Sequence, residues 1–227
     1  MYFSRITFSP WANHEQLVET LCQDSYREHQ VLWQLFDSNP DARRDFLYRR
    51  VTENGQTKYY VLSERVPIDN SGTWVIDPPK SYNPKLSEGQ RLFFTLRANP
   101  VVTVKTPAGK QQRHDVVMHE KKRLGFDKLP ANEKPQLQSL IQSSCIQWLQ
   151  KRSEANGFDL IKDQVSVEGY QQHESYAKNQ KRPVSYSSVD YQGILAVSDP
   201  DKFRNTLFHG IGKSKAFGCG LLLVKRA

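Results

Sequence analysis

"ANEKPQLQSLIQSSCIQWLQKRSEANG", residues 131–157, is the stretch that decides the fold. Leu137, Leu140, Ile141, Cys145, Trp148 and Leu149 recur at three- and four-residue spacing. Such a stripe belongs to an amphipathic helix with one buried face. Gly157 follows it, where a left-handed residue closes a helix without steric cost. Ahead of this helix, "QRLFFTLRANPVVTVK" (90–105) reads as a strong strand interrupted by Pro100, followed by a polar, basic loop over 106–123. Behind it, 158–178 and 183–199 read as two long strands. "DPDKFRNTLFHGI" (199–211) is a short helix, with Asp199 as N-cap and Pro200 in the first position. "GCGLLLVKR" (218–226) is a last strand. The order from about residue 90 is therefore β-α-β-β-α-β, the ferredoxin-like arrangement.

The preceding residues repeat the beginning of that order. "YFSRITFS" (2–9) alternates as a strand, and Pro10 stops it. A helical region follows, with Asn13 or Asp24 as N-cap, and its best-defined part is "DSYREHQVLWQLF" (24–36). "DFLYRRVTENGQTKYYVLSERV" (45–66) is a β-hairpin turning at Asn54-Gly55, the pair favoured in type I′ turns. The Pro-, Ser- and Asn-rich 67–89 reads as irregular, with a short helix at most. The expected fold is α+β, two tandem ferredoxin-like βαββαβ domains over 1–88 and 89–227.

Charge and cysteine content narrow the function. Lys and Arg number 32 against 24 Asp and Glu, a net charge of +8. That balance favours a polyanionic partner, nucleic acid being the commonest, although a basic protein without such a partner has the same composition. Cys22, Cys145 and Cys219 are odd in number and widely spaced, against a disulfide framework and for a reducing compartment. The N-terminus has no apolar signal region, and no run approaches the ~20 apolar residues of a membrane span. The chain is expected to be cytoplasmic, without a membrane partner.

"HGIGKSKAFGCGLLLVKR" (209–226) concentrates glycine and lysine just before the last strand. A Walker A loop needs glycine at 207, which is Leu207, and should follow a strand. A dinucleotide fingerprint needs glycine at 215, which is Lys215. Both are excluded, and no small-molecule cofactor is expected. What remains is a backbone cradle for an RNA phosphate chain, with Gly210, Gly212, Gly218 and Gly220 letting the main chain approach and Lys213 and Lys215 adding charge. The competing reading is a plain helix–strand connection with solvated lysines. Lys105, Lys110, Arg113, Lys121, Lys122 and Arg123 form a second basic segment. Arg97 either meets RNA or pairs with an acid at its strand end. His114 and His119 are five apart, yet Arg123 stands where His-Glu-x-x-His needs its second histidine, so no metal site is expected. His14, His173 and His209 read as surface or loop residues.

"GIGKSKAFGCGLL" (210–222) resembles the C-terminal Gly-rich loop of CRISPR-associated RNA-processing proteins, and most closely that of the CasE family, the repeat-cleaving endoribonuclease subunit of Cascade. "YREHQVLWQLF" (26–36), "PDARRDFLYR" (40–49) and "GQRLFFTLRANPVVT" (89–103) are similar in the same order, and Tyr-x-x-His together with "LRANP" is the more specific combination. The resemblance implies the tandem ferredoxin-like fold. It implies metal-free cleavage of precursor CRISPR RNA within repeat stem-loops by the ribose 2′-OH, leaving a 2′,3′-cyclic phosphate and a 5′-OH. It implies that the mature RNA is kept as part of Cascade, with repeat RNA and the other Cascade subunits as partners. Tyr26 and His29 become the catalytic candidates; three residues apart on a helix, they share a face. Histidine titrates near neutrality, as proton transfer requires. A nearby lysine would steady the developing charge. Either residue also fits a packing role. The alternative function is a non-catalytic RNA-binding subunit of the same fold. The segment between Pro10 and Tyr26 looks longer than in some relatives, and 169–186 aligns only as a hairpin, with Lys178, Lys181 and Arg182 near RNA.

Overall fold

The computed structural model describes residues 1–12, 25–36, 45–175 and 184–227, and for Ser25, Tyr26 and Ser175 the backbone alone. Asn13, His14, Cys22, Asp24, Lys178, Lys181 and Arg182, and most of the long segment after Pro10, lie outside the described residues.

The first sheet holds β1 (Tyr2–Phe8), β2 (Phe46–Glu53), β3 (Gln56–Ser63) and β4 (Trp74–Ile76) in the order β2-β3-β1-β4, with β5 (Lys80–Ser81) also on β1. All pairings are antiparallel. The hairpin turns at Asn54-Gly55 as read, both residues having positive φ, 51° and 74°. Helix α1 (Ser25–Trp33) covers one face, shorter than read because 34–36 turn away from it. The buried face of this unit is aromatic: Phe46, Tyr48, Tyr59 and Trp74 pack with Ile6, Leu32 and Phe36. The stretch 67–89 is not helical. It contributes β4 and β5, because two short apolar or polar runs find open edges of β1.

The second sheet runs β11-β6-β10-β9: β6 (Arg91–Ala98), β9 (Phe158–Ser175), β10 (Val184–Val197) and β11 (Leu222–Arg226), all antiparallel. Two helices, α3 (Leu137–Ser153) and α4 (Pro200–His209), cover it and supply Trp148, Leu149, Phe203 and Leu207 to its core. Asp199 caps α4 by accepting from the Asp201 and Lys202 amides. Each sheet thus has the 4-1-3-2 strand order of a ferredoxin-like unit.

The expected basic loop is folded. Asn99-Pro100 breaks the strand, and β7 (Val101–Lys105) pairs with β8 (Gln111–Asp115) as a separate hairpin that leads into α2 (Val116–Leu124). Asp115 holds this insert in place: it caps α2 by accepting from the Met118 amide at 2.8 Å, and accepts the Tyr170 hydroxyl at 2.9 Å and the Ser187 hydroxyl. Trp148 donates its indole N–H to the Val101 carbonyl at 3.0 Å, tying α3 to the same hairpin. The far face of the first sheet meets the second unit through Leu47, Leu62 and Leu221, with Phe3, Tyr82 and Phe208 around them.

Candidate nucleic-acid interface

Alternation along β2 sets up the seam between the sheets. Tyr48 and Arg50 point to α1, whereas Leu47 and Arg49 point to the second unit. Glu28 of α1 is 6% exposed and accepts the Tyr59 hydroxyl at 2.8 Å, the Tyr48 hydroxyl at 3.5 Å and the Arg50 guanidinium at 3.3 Å. Burial pushes its carboxyl above the ordinary range, against the lowering pull of Tyr59 and Arg50. On the other side, Asp190 of β10 accepts Arg97 through two bonds of 3.0 and 2.8 Å and Arg49 through one of 3.2 Å. One carboxylate therefore joins a β2 arginine to a β6 arginine across the seam. Arg97 follows its second expectation, pairing with an acid, while remaining about a third exposed, at 35% of its side chain.

These charges line a cleft of about 740 Å³, walled by Glu28, Arg49, Arg50, Arg97, His173 and Phe217 among others. A second cleft of about 630 Å³ adjoins it, with Asn99, Arg113, Asp115, Lys213 and Ser214 on its far side. A third hollow of about 770 Å³ holds His114, His119, Lys121, Lys122 and Arg123. The two histidine rings there are 6.2 Å apart, one on β8 and one on α2. Among the described residues no three His, Cys, Asp or Glu side chains converge as metal ligands would.

The Gly-rich segment is not a P-loop, which would follow a strand. It follows α4 and is held on both sides. Its Gly220 amide donates to the Arg97 carbonyl at 2.7 Å, Ile211 donates to Gly220 at 2.9 Å, and Asn99 both bridges Lys213 and donates to Ser214 Oγ at 2.6 Å. A methyl group on Gly210 would meet the Gly220 carbonyl oxygen at 2.5 Å, and one on Gly218 would meet Tyr48 at 3.2 Å. The glycines therefore let the loop fold on itself and against both units. The lysines diverge: Lys213 is exposed in the second cleft, while Lys215 donates its ammonium back to the His209 carbonyl. Of the two lysines expected at phosphates, Lys213 faces outward and Lys215 staples the loop.

The 3-10 turn of this loop, Lys215–Phe217, packs on α1, and the Tyr48 hydroxyl donates to the Ala216 carbonyl at 3.2 Å. This places the helix of Tyr26 and His29 against the loop. Tyr26 lies in its first turn, with its side chain outside the described part. The His29 ring is half-buried, stacked on Phe46 with centroids 5.5 Å apart and planes 16° apart, and next to Trp33 at 5.6 Å. Its neighbour Glu28, not His29, is on the cleft wall. Lys110 sits in the exposed β7–β8 turn, outside both cleft walls. His209 is exposed, as read, but His173 is not a loop residue: it lies on β9 and borders both clefts. Arg49, Arg50 and Asp190 were not singled out by the sequence; the alternation of β2 was the one signal that pointed at the arginines.

A basic cleft between two packed ferredoxin-like units, closed by a glycine-rich loop, defines a protein built to hold an extended polyanion. The family described as "CRISPR associated protein" matches residues 1–226, and the chain belongs to it. It is 28% identical over 202 residues to the CRISPR system Cascade subunit CasE of Escherichia coli, covering 88% of this chain and 91% of that one. It is 28% identical over 197 residues to the CRISPR-associated endoribonuclease Cse3 of Thermus thermophilus, covering 81% of each. A structure of CRISPR endoribonuclease Cse3 bound to a 19-nucleotide RNA superposes with a TM-score of 0.71 at 24% identity, over 99% of this chain and 100% of that one. Its agreement is one of fold.

Proposed function

We propose that this protein is the CRISPR RNA-processing endoribonuclease of a Cascade complex, working in the cytoplasm. The observation that carries the reading is the packing of α1, the helix of Tyr26 and His29, on the 3-10 turn of the Gly-rich loop beside a cleft rich in arginine. The two relatives are named as a Cascade subunit and as an endoribonuclease. Residues 1–88 and 89–227 act as the two units that grip a repeat stem-loop. Arg97, Lys213, Arg113 and Lys110 are cations for its phosphates, with Gly210, Gly212, Gly218 and Gly220 shaping the loop that presents Lys213; Lys215 serves by holding that loop closed.

The reaction needs one proton removed from a ribose 2′-OH and one delivered to the departing 5′-oxygen. The 2′-oxygen bonds to phosphorus, the P–O5′ bond breaks, and the products are a 2′,3′-cyclic phosphate and a 5′-OH, without a metal. His29 and Tyr26 carry the two proton transfers. His29 reaches the RNA by turning its ring off Phe46; catalytic groups commonly align only with substrate in place.

The aromatic seat of His29 favours a second reading, an RNA-binding subunit without catalysis. A hairpin carrying the repeat of the organism's own CRISPR array, 5′-labelled and incubated in excess EDTA, separates the two. The wild type should cut it and leave a cyclic phosphate. His29→Ala should bind it equally and cut it roughly 100-fold or more slowly, the usual scale of general acid–base catalysis. Tight binding without cleavage by either protein would establish the second reading.

A further inference from the structure

Three rings form the wall between the two adjoining clefts. His173 of β9 lies on Tyr186 of β10, centroids 4.7 Å and planes 19° apart; Tyr186 lies on Phe217 of the Gly-rich loop at 4.7 Å and 14°. His173 and Tyr186 are a cross-strand pair in the β9–β10 register, and Phe217 extends the column from outside the sheet. His173 and Phe217 lie outside the buried cores of the two units, and Tyr186, though buried, joins neither main cluster. Tyr186, in the middle, is 9% exposed, while the end rings are half-buried and border both clefts. The turn carrying Phe217 packs on α1, whereas His173 lies on β9, the edge strand of its sheet, with no described strand beyond it. The His173 ring is fixed in plane by a 2.7 Å bond between Nε2 and Ser188 Oγ. Burial and the nearby Arg97 favour its neutral form.

Cations stand on both sides of the column, Arg97 in one cleft, Arg113 and Lys213 in the other. An aromatic face between cations meets the needs of an unpaired nucleotide, whose base stacks while its flanking phosphates are neutralised.

We propose that the His173–Tyr186–Phe217 column is a platform for one unpaired base of the bound RNA, which stacks on the His173 ring while the strand passes between the clefts. This rests on the RNA-binding part of the functional reading and is independent of which groups move protons. A proton-transfer role for His173 is the rival explanation of a histidine in this place.

The test places 2-aminopurine at each unpaired position of the repeat hairpin in turn and follows its quenching on binding to the full chain, with cleavage measured in parallel. Wild type should quench one position strongly. His173→Ala should lose that quench and bind roughly tenfold more weakly, the scale of one stacked base. Removing the base at that position should weaken wild type equally and add little to His173→Ala. His173→Phe should keep quench, affinity and cleavage, since it keeps a ring and has no proton to give. Survival of the quench in His173→Ala, or tight wild-type binding without a quenched position, overturns the platform. Normal binding but lost cleavage by His173→Phe assigns proton transfer instead. A wild type that ignores the repeat altogether overturns the functional reading itself.

Discussion

Asp190 is the acid shared by two arginines from different sheets, and its removal has a calculable cost. In Asp190→Ala, Arg49 loses its single observed hydrogen-bonding partner while its side chain stays 12% exposed; its Nε and Nη1 already lie buried without acceptors among the described residues. Stranding one member of a buried ion pair costs about 3–5 kcal/mol, and the third of Asp190 that is exposed argues for the lower end. Arg97, also about a third exposed, turns to water and contributes roughly 0.5 kcal/mol. The sum is roughly 3.5 kcal/mol. At about 2–4 °C per kcal/mol for a chain of this size, the melting temperature should fall by roughly 7–14 °C. Thermal unfolding followed by tryptophan fluorescence and by circular dichroism measures it. The double variant Asp190→Ala/Arg49→Met should recover more than half of the loss, because the stranded charge is gone. A drop of under ~2 °C in the single variant, or a double variant no better than the single, would refute the reasoning: the seam would then be held by Leu47, Leu62 and Leu221 alone.

Two further outcomes follow from buried titratable groups. Glu28 has its pKa raised by burial above the ordinary 4.5. A carboxyl raised in this way favours the folded state while protonated, and loses that contribution as pH climbs from about 4.5 through the folded value. The stability of wild type relative to Glu28→Gln should therefore fall across that window and stay level above it; a difference that grows with pH contradicts the burial argument. Cys145 and Cys219 are buried, and burial pushes both thiols up to about 12. Iodoacetamide at pH 8 should leave both unmodified in the native protein and label both in urea, read by peptide mass spectrometry; native labelling of Cys219 would mean that the Gly-rich loop opens in solution.

Local chemistry carried the elements that could be read. Asn54-Gly55 announced its hairpin because only a type I′ turn wants that pair, and the stripe from Leu137 to Leu149 announced α3 because a helix is periodic on its own. The strands β4 and β5 were missed since "WVI" and "KS" have no pattern at that length; their identity comes from the edge of β1. Val101–Lys105 reads as the continuation of the β6 strand past Pro100, and β8 reads as loop because "QQRHD" has no apolar alternation; the two pair with each other outside both main sheets. The loop's glycines were legible, but their purpose was not: contact with Tyr48, Trp148 and the loop's own carbonyls depends on residues far away in sequence. For the same reason His173, in the polar run "QQHES", showed no sign of its place between two clefts.

The C-terminal arrangement also has a consequence in time. Residues 210–226 stitch the loop to Arg97 and Tyr48 and add β11 to the edge of β6. They follow Lys80–Ser81, the final strand of the first sheet, by well over a hundred residues. At roughly 5–20 residues per second, a ribosome needs on the order of 6–26 s to cover that distance. During this interval the N-terminal sheet can already close, whereas β6 waits with one edge bare and the arginine cleft has no far wall. The nascent chain thus gains its polyanion-holding surface only after every other strand of the two sheets has been made, which limits its exposure to cellular RNA while half-made.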